Sequence, residues 1–194
     1  VTTPLAALDS PRGRVVLRYV IGVVLVFGLL GCVVKGADNP ADPYVASPGA
    51  SSSRTPLSGF GETSLTVKTA GDLLEWCLLL AATAEQHQRG LMQVTDPALG
   101  GYQGMVFRYA DDATEQYWMR NTPMPLSIAW VDATGHIVAT ADMAPCGDDP
   151  NCPDYPSTGP PPPYRMAIEV PQGKLQELGL VEGSTITDNK TACA

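Results

Sequence analysis

Residues 19–30 read YVIGVVLVFGLL, an unbroken apolar run that follows Arg12, Arg14 and Arg18 and stops two residues short of Cys32. A run of this size matches the core of an export signal and falls short of the ~20 residues that span a bilayer. The basic residues before it hold that end in the cytoplasm, so the rest of the chain is expected to fold on the other side, where cysteines oxidise. Everything after the run is read under that constraint.

Leu29-Leu30-Gly31-Cys32 resembles the lipobox of bacterial lipoproteins. The resemblance implies diacylglycerol on Cys32 and cleavage just before it, with two acyl chains giving stable anchoring. Leu30 is bulkier than usual at its place, and Val33 and Val34 prolong the apolar character. The alternative is an uncleaved anchor helix over residues 15–34, with Arg18 reaching back to the surface. PRGR contains no adjacent arginine pair, so the twin-arginine route is not indicated. Either reading places the chain at the cell membrane, anchored by lipid or helix, with its C-terminal part on the extracytoplasmic side.

Cys32 accounts for the odd cysteine count and leaves Cys77, Cys146, Cys152 and Cys193 as an even set. In an exported chain these are expected to form two disulfides. Cys146 with Cys152 closes a short loop, and Cys77 with Cys193 follows by exclusion. The formal charge of -8 argues against nucleic acid, which needs clustered Lys and Arg.

Residues 33–63 mix Pro, Gly, Ser and Asp with isolated apolar residues and show no period, as expected of a flexible tether about 30 Å in reach. Residues 64–194 then form a single domain, large enough to bury one core. Short apolar runs at 65–67, 74–81, 104–109, 116–121, 126–131, 136–143, 165–170 and 184–187 read as strands parted by turn residues. Thr83 and Gln86 form a capping-box pattern for a helix over 84–92, and a second helix is expected over Gln172–Leu178, stopped by Gly179. The fold class is therefore mainly β, a β-rich α+β chain forming a compact barrel-like or sandwich domain with two short helices.

Four fragments recur in order: Arg89-Gly90-Leu91-Met92, Gly104-Met105-Val106-Phe107, Tyr117-Trp118-Met119-Arg120-Asn121-Thr122 with Pro125-Leu126, and Arg165-Met166-Ala167-Ile168-Glu169-Val170 before Gly173 and Leu178-Gly179. Together they resemble the domain-of-unknown-function 192 family, whose motifs run RGLM, GMLF, WMKNT with PLD soon after, and a late LE strand. The resemblance implies a compact, often exported β-rich domain and no established reaction, substrate or cofactor. Arg120 stands at the family's usual Lys and Ser127 at its usual Asp, while the Pro-rich segment 144–164 looks like an elaborated loop.

Trp118, Met119, Met92, Met105 and Phe107 are core material first, with an aromatic ligand pocket as the other reading. Arg89, Arg120 and Asn121 are the candidate ligand-binding residues, since guanidinium forks suit carboxylate or phosphate. Ion pairing with Glu169 is the structural alternative. The acidic loop 146–152 with Asp154 matches no calcium motif and reads as solvated. No metal or cofactor is indicated, and no catalytic residue is assigned: GxSxG, HExxH and phosphate-loop motifs are absent from the sequence. The expected role is a binding or accessory module of the cell envelope, with a small anion, an envelope polymer or a protein as partner. The alternative is an envelope hydrolase or transferase acting on an anionic substrate, with Glu169 as acid or base.

Overall fold

The structure, a computed structural model, describes residues 53–194. Cys32, the expected export signal and most of the expected tether lie outside the described residues. The order of elements is β1 (Gly61–Lys68), β2 (Leu73–Ala81), α1 (Ala84–Arg89), β3 (Met105–Ala113), β4 (Tyr117–Trp118), β5 (Leu126–Val131), β6 (Ile137–Met143), β7 (Asp154–Tyr155), β8 (Tyr164–Pro171) and β9 (Thr185–Asp188). Seven strands form one mixed sheet in the order β6-β5-β8-β3-β2-β1-β9, and β4 pairs with β7 in a separate ribbon. Only β2 and β3 run parallel. Parallel neighbours need a crossover, and residues 82–104, which carry α1, supply it.

The chain is mainly β, as its short apolar runs imply, but the sheet is not a closed barrel. Its edges meet at a single bridge between His136 and Thr185, backed by Ile186 N–H donating to Gly135 O at 2.8 Å. Gly135 permits this approach: φ is +87° and a Cβ there would sit 2.4 Å from Ile186 O.

Side chains alternate across the curled sheet into two cores. On one face Met105 and Phe107 of β3 and Ala167 of β8 join Trp130, Met119, Tyr164 and Leu91. On the other, Val106, Ile168 and Val170 join Leu65, Val67, Leu178, Leu180 and Ile186. All six residues of β5 are buried, as expected of a strand covered on both faces.

Thr83 caps α1 as its sequence predicts, accepting from Gln86 N–H while the Gln86 side chain accepts from Thr83 N–H. The helix stops at Arg89, short of Met92, because Gly90 turns to φ +47° against the Phe107 ring. The second expected helix, over Gln172–Leu178, is a string of turns. Gly173 sits at φ +83°, and Leu178 N–H to Lys174 O is the sole bond of α-helical spacing within it. The domain also begins before Ser64. Leu57 and Phe60 pack on the first core, Thr55 N–H donates to Gly100 O at 2.8 Å, and Gly61 opens β1. The two disulfides pair as expected, Cys77 with Cys193 and Cys146 with Cys152. Among the described residues no helix is long and apolar enough to cross a membrane.

Candidate functional site

The crossover lays α1 over the first core, and β4 comes up on the far side. Between them lies a cavity of about 390 Å³. Its wall includes Arg89 of α1 and Gly90 to Met92 after it, Phe107 and Tyr109 of β3, Tyr117 and Trp118 of β4, and Thr122, with Glu169 of β8 at its floor. Each of the four sequence motifs, which are spread over some 80 residues, therefore contributes to one concave surface.

Strand register explains how a carboxyl comes to lie there. Glu169 pairs with Met105 on one side and Ile128 on the other, and its side chain shares their face, that of the first core. It is 4 % exposed and has no hydrogen-bond or ion-pair partner among the described residues. Burial pushes its carboxyl up to about 8, so at neutral pH it is mostly protonated. The close passage of β8 past β3 also accounts for Gly104, where a Cβ would meet Glu169 O at 2.3 Å.

Above Glu169 the wall is aromatic. Tyr109 and Tyr117 share a hydrogen bond between hydroxyls at 2.8 Å, and Tyr164 donates to Glu115 O at 3.0 Å. The rings meet edge to face, Phe107 with Tyr117 at 5.1 Å and Tyr109 with Tyr164 at 5.3 Å. Burial raises all three tyrosine hydroxyls above their ordinary range, so they remain neutral donors. His87 stacks near Tyr109, 4.5 Å between centroids, while Trp118 stands 53 % exposed at the rim.

Of the residues singled out in the sequence, Arg89 lines this cavity, with its guanidinium donating to Ser58 O at 2.7 Å and lying 4.8 Å over the Phe60 ring. Arg120 and Asn121 are brought together elsewhere, on Asp148 of the Cys146–Cys152 loop, at 2.6 and 3.4 Å. Arg120 holds the Asp148 carboxyl below its usual range. The three residues are thus divided between the cavity and the disulfide loop, and neither arginine pairs with Glu169. Asn121 has a positive φ of 55°, and its carbonyl accepts from Gln93 N–H at 2.8 Å. Ser127 is buried, bonded to Asp142 and accepting from Gly173 N–H at 2.9 Å, which gives it a role in holding β5, β6 and the turn after β8.

Met119, Met105 and Phe107 fill the core as expected, whereas Met92 is only half-buried and Trp118 is exposed. Tyr109, His87 and Glu115 are wall residues that sequence reasoning did not single out. The alternation in Tyr117-Trp118-Met119-Arg120 was the available signal for Trp118, because it puts Trp118 and buried Met119 on opposite faces.

With this geometry in place, comparison with known proteins adds the lineage. The profile of DUF192, described as Uncharacterized ACR, matches residues 65–187. The chain belongs to the DUF192 family. This DUF192 domain is also similar to a solved protein of unknown function from Novosphingobium aromaticivorans DSM 12444, at 26% identity and TM-score 0.56, covering 69% of this chain and 90% of that one. A second solved relative, from Sinorhizobium meliloti 1021 and described as a candidate transcription regulator, matches at 22% identity and TM-score 0.53, over 66% of this chain and 95% of that one. That likeness concerns the fold alone. No curated protein matches.

Proposed function

We propose that this DUF192 domain is an extracytoplasmic binding module, held at the membrane through Cys32 or an uncleaved N-terminal helix, whose small ligand sits in the Glu169 cavity. The observation that carries the reading is convergence: four separate motifs meet on one cavity with a few polar groups in a mainly apolar wall, the usual make-up of a ligand site. The two disulfides suit an oxidising compartment. A hydrolase or transferase working on an anion gains less support. Arg120 and Asn121 face Asp148, and the cavity wall contains no serine or cysteine nucleophile. A DNA-binding role is not adopted, given the charge of -8.

Two experiments test the proposal. A small-molecule library is screened by thermal shift against the native chain and Gln88→Trp, which adds bulk on an exposed α1 position of the cavity wall. Ligands should stabilise the native protein and lose their effect on the variant; the absence of any such ligand counts against a binding module. For the anchor, Cys32→Ala should abolish lipid labelling and signal cleavage. Unchanged labelling and mobility would exclude lipidation and leave the anchor helix.

A further inference from the structure

Among the groups around the cavity, Glu169 is the one whose chemistry is incomplete. It is buried between Met105 and Ile128, it faces the cavity, and nothing among the described residues pairs with it. A buried carboxyl without a partner is unfavourable as an ion, and a positive charge brought beside it removes that penalty. Four aromatic rings, Phe107, Tyr109, Tyr117 and Trp118, stand around the same space. Aromatic walls attract ammonium groups through the ring quadrupole, more strongly once water is excluded.

We infer that the cavity recognises an organic cation, a primary amine or quaternary ammonium, with its charge on Glu169 and its alkyl groups against the aromatic wall. The inference rests on the binding role proposed above and narrows it to a ligand class.

The other charged and titratable groups of the wall agree with this polarity. Glu115, between β3 and β4, adds a second carboxylate, so an anionic ligand would meet like charge. Arg89 of α1 is the wall's one permanent cation, and its guanidinium is engaged by Ser58 O and the Phe60 ring. His87 of α1 has its Nε2 3.2 Å from Ala81 O. Tyr109 of β3 and Tyr117 of β4 stay protonated, as burial dictates, and present hydroxyls without charge, and Tyr164 of β8, packed behind Tyr109 and bonded to Glu115 O, is neutral for the same reason. The excess of negative charge on the whole chain favours the approach of cations.

Such a ligand leaves a signature that an uncharged one does not. Glu169 is mostly protonated in the empty cavity at pH 7 and must ionise to pair with ammonium, so binding expels a proton to buffer. The test is isothermal titration calorimetry on the full-length chain in detergent, in buffers of different ionisation enthalpy. Choline, ethanolamine, the uncharged choline isostere 3,3-dimethylbutan-1-ol, and acetate serve as probes. Choline or ethanolamine should bind at least tenfold more tightly than the isostere, with close to one proton released at pH 7; for choline, whose charge does not change with pH, the release should fall to almost none at pH 9.5. Glu169→Gln should reduce choline binding to the level of the isostere. Equal or tighter binding of the isostere or acetate, cation binding without proton release, or no binding by any probe overturns the cation assignment. The comparison of choline with its isostere is made on the native chain, so the outcome does not depend on how the variant folds. The binding role itself is judged separately, by the library screen with Gln88→Trp.

Discussion

The Glu169 carboxyl is held neutral in the folded chain by burial, and in the unfolded chain it returns to an ordinary glutamate. Its folded pKa of about 8 lies above the reference value of 4.5, so the folded state holds the proton more tightly through the interval between. The stability tied to this group is therefore fully present below pH 4.5 and is lost as pH rises toward 8, by up to about 5 kcal/mol. Denaturant titrations between pH 4.5 and 8 should show that decline, and Glu169→Gln should flatten it. Gly104 gives a second prediction at this scale. Gly104→Ala presses a methyl into Glu169 O and should cost about 2–3 kcal/mol in chemical denaturation. Gly147→Ala, with nothing within 4 Å, serves as the control and should change little. The sequence makes Gly104 and Glu169 recognisable as motif members and hides that they touch. Their contact depends on the register of two strands some 60 residues apart, whereas charge alone points to an arginine as the partner of Glu169.

Among the elements, α1 is the most legible at its start, because the capping signal there is local. Thr83 and Gln86 satisfy each other's backbone groups, and Thr83→Ala should lower stability by about 1 kcal/mol, measured by thermal or urea unfolding. The segment at Gln172–Leu178 shows where pattern fails: its apolar spacing is helical, but Gly173 leaves the helical region at the outset, and Leu178 and Leu180 are buried in the second core from turns. β7, two residues long, was invisible because it exists only as a partner for β4. The Cys146–Cys152 loop is an element in its own right, since it presents Asp148 to Arg120 and Gly147 O to Asn121 N–H. Replacing both cysteines with Ser should cost about 2 kcal/mol in the chain-entropy account. It should also loosen Arg120, which amide exchange over residues 119–123 would register.

For the molecule as a whole, the Cys77–Cys193 bridge ties β2 to the segment after β9 across 116 positions of sequence. Its removal by Cys77→Ala with Cys193→Ala should cost up to about 5 kcal/mol, read from the shift in denaturation midpoint with and without reductant. The β-rich class and the positions of the longer strands were readable from apolar runs bounded by turn residues. Strand order was not, because nothing in a run of alternating residues names its neighbour. β1 lies between β2, which follows it directly, and β9, formed from residues 185–188. That arrangement has a consequence for how the domain is born. A chain that emerges N-terminal end first presents β1 and β2 early, but the outer edge of β1 has no neighbour until residues some 120 positions later have emerged. Throughout that interval an apolar hairpin with open backbone groups is exposed to other unfinished chains, so any chaperone attending it would have its work concentrated on this one edge.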